Sequence, residues 1–182
     1  YVAAMLEDLK WIGCSWSEGP DISGPYAPYV QSQRTSLYVE GLRKLIRSGH
    51  VYPCHCSRKD IERVLSAPHA GDEEPIYPGT CRPTQSVSLD DSDIHKPRSP
   101  ITGRTPHWRF RVPDGRVITF VDECLGERSF VAGRDFGDFI VWRHDGIPAY
   151  QLAVVVDDAA MQITEVVRGE DLLVSTARQL LL

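Results

Sequence analysis

The sequence has 182 residues, 42% of them apolar, a formal net charge of −5 and five cysteines. That is enough apolar material for one buried core with a small insert, and the acidic balance does not mark a nucleic-acid binder, although phosphate contacts need only a local basic surface. The odd cysteine count, with no secretory leader and no apolar run long enough to span a bilayer, points to a reducing, cytosolic setting without a membrane partner.

Met5, Leu6, Leu9 and Ile12 recur at helical spacing, and Gly13 is the stop. A Gly-, Pro- and Ser-rich loop follows through Pro28. Leu37, Tyr38, Gly41, Leu42, Leu45 and Ile46 form the stripe of a second helix, with Lys44 and Arg47 suiting its C-terminal dipole and Gly49 ending it. Ser57 with Asp60 predicts a capped start for a short helix through Leu65. Residues 66–106 are rich in Pro, Ser, Asp and Gly and predict a loop or insert that a metal would anchor.

Trp108, Phe110 and Val112 alternate with Arg109 and Arg111, as in a half-buried strand. Pro113-Asp114-Gly115-Arg116 supplies a turn and Val117 to Val121 the return strand. Phe139 to Trp142 reads as a short strand closed by His144-Asp145-Gly146. Pro148 suits the first turn of a helix running to about Ala160, and Ile163 to Val167 suits a buried parallel strand. Ser175 or Thr176 is the expected cap of a last helix. Strand, helix, strand, helix is an α/β half-unit, so the insert would divide a Rossmann-like domain.

Cys54-His55-Cys56 offers two thiolates across one tight turn, and Cys81 offers a third after an intervening segment. A thiolate-rich set suits Zn²⁺ better than Mg²⁺ or Ca²⁺. Three cysteines leave one tetrahedral position open to Tyr77, His55 or water, and one disulfide or plain reduced thiols are the competing readings. Cys14 and Cys124 stand apart and read as semi-buried thiols. Arg168 directly follows the Ile163–Val167 run, at the strand end where open sheets gather ligands, and a guanidinium there can grip a carboxylate through two parallel hydrogen bonds. Tyr150 offers one hydroxyl on a rigid body, and Asp171 is a candidate nucleotide contact. Asp157 and Asp158 point about 100° apart on a helix, which favours a structural role over a paired acid and base. Arg43, Lys44, Arg47, Arg58, Lys59 and Arg63 form a basic cluster that could touch RNA.

C-x-C followed by Y-x-x-x-C resembles the zinc site of the glutamyl-Q tRNA(Asp) synthetases, truncated relatives of glutamyl-tRNA synthetase in class I. The resemblance extends to Leu6–Gly13, Gln31-Ser32-Gln33-Arg34, Tyr52-Pro53-Cys54, Asp138–Val141, Tyr150–Asp158 and Val166–Leu173, and thins between about Ser66 and Pro106. It implies a Rossmann-like class I catalytic domain interrupted by a small zinc-bearing insert. Its parts would be 1–53 and 137–182 for the catalytic domain and 54–136 for the zinc-binding, acceptor-side insert. It implies Cys54, Cys56, Tyr77 and Cys81 as ligands of one structural Zn²⁺, and Arg168 and Tyr150 as glutamate contacts. It also implies ATP with Mg²⁺, and transfer of an activated glutamyl group to queuosine in tRNA(Asp), with no nucleophile from the enzyme. The family's HIGH-type and KMSKS-type segments do not occur here, so the sequence reads as an excerpt, inactive alone. An ordinary glutamyl-tRNA synthetase fragment is the runner-up, although Val154 stands where those enzymes carry a polar residue. A zinc-stabilised RNA-binding module without catalysis is the third reading.

Overall fold

The computed structural model describes residues 1–64, 76–84 and 105–182. The insert expected at 66–106 therefore lies largely outside the described residues. The chain divides into two compact units, Tyr1–Thr35 and Ser36–Leu182.

In the first unit, helix α1 (Val2–Trp11) ends as Gly13, at a φ of +90°, turns the chain, with the Cys14 amide bonded back to the Leu9 carbonyl at 3.0 Å. Lys10 and Trp16 both reach Asp21, at 2.7 and 2.9 Å. Arg34 is only 3% exposed and donates to the carbonyls of Tyr26 and Pro28, both at 2.9 Å, which closes the loop expected to be irregular. Cys14 is exposed, as is Cys124 in the second unit; both sit in turns that leave their thiols in water rather than half buried.

The second unit is built on α2 (Thr35–Arg47), which belongs to it from Ser36 onward. Tyr38, Leu42 and Ile46, spaced by four, are its fully buried stripe, and Gly49 at φ +71° stops it. Strand β1 (Val51–Cys54) follows and pairs antiparallel with β2 (His107–Phe110), which pairs in turn with β5 (Phe139–Trp142). A separate hairpin joins β3 (Val117–Asp122) to β4 (Gly126–Val131). The return strand expected after Pro113 thus pairs forward with β4 and not back with β2. Both edges of β2 are already taken by β1 and β5, so it has no ladder to offer β3.

Helix α3 (Arg58–Val64) begins as expected: Ser57 and Asp60 exchange backbone and side-chain bonds in a capping box. Helix α4 (Tyr150–Met161) buries Gln151, Leu152 and Ala153. Pro148 stays outside its first turn, because the chain there still bridges to Trp142. The run Ile163–Val167 is neither helix nor strand. Among the described residues no strand supplies its hydrogen bonds, and Val166 and Val167 face solvent, the latter at 101% exposure. The α/β half-unit read from its apolar character is therefore not closed here, and the named strands pair only antiparallel. Helix α5 (Leu173–Gln179) starts before Ser175 and Thr176, so neither caps it. Their hydroxyls are engaged by Gln151 and Arg168 instead.

The core joins α2, β1, β2, β5, α4 and α5 through residues that include Leu42, Val51, Trp108, Phe110, Val141 and Leu152. Leu42→Ala should cost about 2–5 kcal/mol of stability, the range for a fully buried leucine whose cavity cannot collapse. Urea denaturation of the full-length protein checks this; a midpoint unchanged from wild type would show that the α2 stripe carries little of the core.

Candidate functional site

Register makes the site. Val51 faces Phe110, Tyr52 faces Arg109, Pro53 faces Trp108 and Cys54 faces His107. Successive side chains on a strand point to opposite faces. One face of this pair, with Val51, Trp108 and Phe110, joins the main core. The other, with Tyr52, Cys54, His107 and Arg109, looks toward a second cluster formed by Tyr52, Cys54 and Tyr77 with Cys56, Ile61 and Cys81.

Three sulfurs converge there, those of Cys54, Cys56 and Cys81, all within 4.8 Å of one another. Cys56 Sγ and Cys81 Sγ are 3.4 Å apart. The Tyr77 hydroxyl is 3.4 Å from Cys54 Sγ and 3.5 Å from Cys56 Sγ, and accepts the Cys81 amide at 2.8 Å. Tyr77 is carried in by a loop that passes close to Gly137, where a Cβ would lie 2.7 Å from Ile76 and 3.2 Å from the Tyr77 amide. His55 meets the cluster through its backbone, which hydrogen-bonds to Cys81, and not through its ring. Its ring lines a separate cavity of about 30 Å³ with Cys56, Thr105, His107 and His144, and its Nδ1 is buried without a partner among the described residues. Burial in that pocket pushes His107 down to about 4, so it stays neutral.

The electrostatics of the cluster are those of a site short of positive charge. The hydrogen bond to Cys81, then burial, pushes the Cys54 thiol up, and burial pushes up Cys56 and the Tyr77 phenol. Cys81 goes the other way, down to about 4, chiefly because Cys54 donates to its sulfur. One thiolate is tolerated among four donors, and a second or third needs a cation. All five cysteines have free thiols, which sets aside the disulfide reading. Three sulfurs and a phenolic oxygen at these separations fit a tetrahedral thiophilic ion.

Reasoning on the sequence missed two buried groups beside the cluster. Arg109, expected on the polar side of its strand, is 6% exposed; its Nε donates to Cys54 Sγ at 3.3 Å and its guanidinium lies 3.9 Å from the centre of the Tyr77 ring. Asp138 accepts from the Tyr52 hydroxyl at 2.6 Å and from the Val112 amide at 2.9 Å, while its backbone carbonyl accepts from Arg109 at 3.0 Å. Only the strand register, which periodicity does not contain, would have revealed either.

A second polar assembly lies between α4, α5 and the segment joining them. Arg168, half buried, donates through Nη1 to Gln179 Oε1 at 2.8 Å and through Nη2 to the Thr176 hydroxyl. Gln179 donates to Gln151 Oε1 at 3.0 Å, and Gln151 donates to Ser175 Oγ at 2.9 Å. Tyr150, at the start of α4, is 49% exposed, and Asp171 is exposed in a turn spanning Glu170–Leu172. Among the described residues neither hydrogen-bonds to Arg168.

The sequence matches the family described as "tRNA synthetases class I (E and Q), catalytic domain" over residues 1–182. The chain belongs to that family. It is 47% identical to a glutamyl-Q tRNA(Asp) synthetase of Symbiobacterium thermophilum over 178 residues, 97% of this chain and 52% of the relative. It is also 47% identical to the glutamyl-Q tRNA(Asp) synthetase of Nitratidesulfovibrio vulgaris, covering 100% of the chain and 54% of the relative. A glutamate–tRNA ligase of Halorhodospira halophila is 41% identical over 98% of the chain and 36% of its own length. Among solved structures, a glutamate tRNA ligase from Elizabethkingia meningosepticum, in complex with its amino acid, superposes with a TM-score of 0.76 at 30% identity, over 97% of this chain and 35% of that one. The chain thus has the α/β fold of a class I synthetase catalytic domain, and it spans about half the length of the glutamyl-Q relatives.

Asp157 accepts from the buried Tyr38 hydroxyl at 2.8 Å, which ties α4 to α2. Burial, with Asp157 beside it, raises Asp158. Of the basic cluster, Arg43 and Arg47 lie 3.6 and 3.8 Å from Glu40; the side chains of Arg58 and Arg63 fall outside the described set. No helix among the described residues is long and apolar enough to cross a membrane.

Proposed function

We propose that this chain is the glutamate-activating portion of a glutamyl-Q tRNA(Asp) synthetase, which joins glutamate to ATP and passes the glutamyl group to queuosine in tRNA(Asp). The observation that carries the reading is the Tyr77 hydroxyl between Cys54 and Cys56 with Cys81 alongside, the Y-x-x-x-C half of the motif folded onto the C-x-C half. The names of the two 47% identical relatives support the acceptor. Cys54, Cys56, Tyr77 and Cys81 would hold one Zn²⁺, which when bound cross-links the β1 turn to the Tyr77 loop and leaves no open position for water. The organisation 1–53, 54–136 and 137–182 goes with this reading.

In the reaction the chain's own groups orient charge. Arg168 has five N–H donors and, among the described residues, directs two of them to Gln179 and Thr176; the remaining N–H groups are those that would meet the carboxylate of glutamate. Tyr150, half exposed on the first turn of α4, would orient the same substrate, and Asp171 would contact nucleotide. The α-carboxylate of glutamate would attack the α-phosphorus of ATP with pyrophosphate leaving, and a tRNA hydroxyl would then take the glutamyl group from the mixed anhydride as AMP leaves. Positioning and charge stabilisation suffice for both steps. A glutamate–tRNA ligase that charges tRNA(Glu) is the alternative, supported by relatives at 41–43% identity.

Three outcomes are expected of the full-length protein. Protein purified without added zinc should carry about one equivalent, and Cys56→Ser should lose most of it; full retention by the variant would remove the ligand assignment. Arg168→Lys should weaken glutamate use in pyrophosphate exchange by about 1.5–3 kcal/mol, the range of a charge-assisted hydrogen bond, with ATP affinity held; unchanged KM and kcat for glutamate would move the role elsewhere. Labelled glutamate should appear on queuosine-containing tRNA(Asp) and not on the unmodified tRNA. Label on the 3′ end of tRNA(Glu) alone would establish the alternative.

A further inference from the structure

We propose that Arg109 is the charge-balancing residue of the metal centre: it neutralises the anionic ligand set through Cys54 and Tyr77 and thereby sets how tightly the ion is held. The inference rests on the zinc reading above and adds a residue that lies outside the ligand set.

Three observations carry it. Arg109 is a buried cation, and such a charge is stable only when paired. Among the described residues its contacts include the Asp138 backbone carbonyl at 3.0 Å, Cys54 Sγ at 3.3 Å and the face of Tyr77 at 3.9 Å. The nearby Asp138 carboxylate is directed to Tyr52, the Val112 amide and Arg82, the last at 3.3 Å. Among the described residues no carboxylate pairs with Arg109, which leaves the sulfur cluster, ionised when it holds a metal, as the anion to answer it.

The charge count fits. A dication with three thiolates and a neutral phenol carries one net negative charge, and two if the phenol is ionised. In a buried site that excess is costly, and a single guanidinium offsets it. An N–H···S bond to a neutral thiol is weak, whereas one to a metal-bound thiolate is charge-assisted. The flat guanidinium reaches sulfur with one N–H and covers the Tyr77 ring with its face, which an ammonium group cannot do together. The residue is delivered by register: Arg109 stands opposite Tyr52 on the same face of the β1–β2 pair as Cys54.

The test uses full-length protein loaded with one equivalent of Zn²⁺, competed against a chromophoric chelator, and the same protein loaded with Co²⁺. Arg109→Met should weaken zinc binding about 10–100-fold, the usual cost of losing a group that orients a metal ligand. Arg109→Lys should fall between it and wild type. Arg116→Met, which removes an exposed cation with the same change in net charge, should match wild type. With cobalt, the sulfur-to-metal charge-transfer band of Arg109→Met should move to longer wavelength, because a sulfur without its hydrogen bond gives up charge more easily. A general loss of folding would not move the band in protein that still binds the ion. Should Arg109→Met not fold, Arg109→Lys carries the same two readouts. Equal zinc affinity with an unmoved cobalt band overturns the inference alone. Wild-type protein that takes up neither ion overturns the zinc reading and this inference with it.

Discussion

The pairing of β1 with β2 is the constraint on which the second unit depends. Two short strands in this register serve two environments at once, a dry core on one face and a polar sulfur cluster on the other. A slip of one residue would turn over the strand that moved, putting Cys54 into the main core if β1 slipped, or Arg109 into it and Trp108 among the sulfurs if β2 slipped. The register is held by residues that cannot trade places: Trp108 and Phe110 need the helices, and Arg109 needs an anion. Fold and site are thus the same decision, made in four residue pairs.

The buried charges follow from that decision. Asp138 accepts from Tyr52 and from the Val112 amide, so it bridges β1 to the chain leaving β2. Arg82, from the loop that carries Tyr77 and Cys81, reaches the carbonyl of Val112 at 2.6 Å and Asp114 at 2.7 Å. That loop buries Tyr77 against Tyr52 and Cys54, with Cys81 packed beside them, and Arg82 adds an electrostatic attachment. Interactions of this kind are weak when exposed and matter when desolvated. The Asp114 pair is exposed, whereas the Val112 carbonyl and Asp138 are buried, and these with the packing of Tyr77 help a glycine- and proline-rich segment deliver two donors to a defined point.

Much of this was legible in the sequence because it is local. The Tyr38, Leu42, Ile46 stripe, the Ser57–Asp60 box and the C-x-C with Y-x-x-x-C pattern each lie within one window of the chain. What was not legible depends on partners far away. Periodicity gives Arg109 an outward face, but whether outward means water depends on the Tyr77 loop. The Ile163–Val167 run has the composition of a buried strand, yet composition names no neighbour, and none of the described strands pairs with it. Ser175 and Thr176 looked like helix caps because hydroxyls near a helix start usually are; here Gln151 and Arg168 claim them first.

The assembly around Arg168 has a direction. A guanidinium can only donate, so the amide oxygen of Gln179 must face it, and the amide nitrogen must then face Gln151. The same logic turns the Gln151 nitrogen toward Ser175. Each amide has two orientations, but one cation at the end of the row selects a single arrangement for all of them, as a fixed magnet aligns a line of compass needles. The polarity of α4 and α5 at their contact is thereby written from outside the helices, by the segment that joins them.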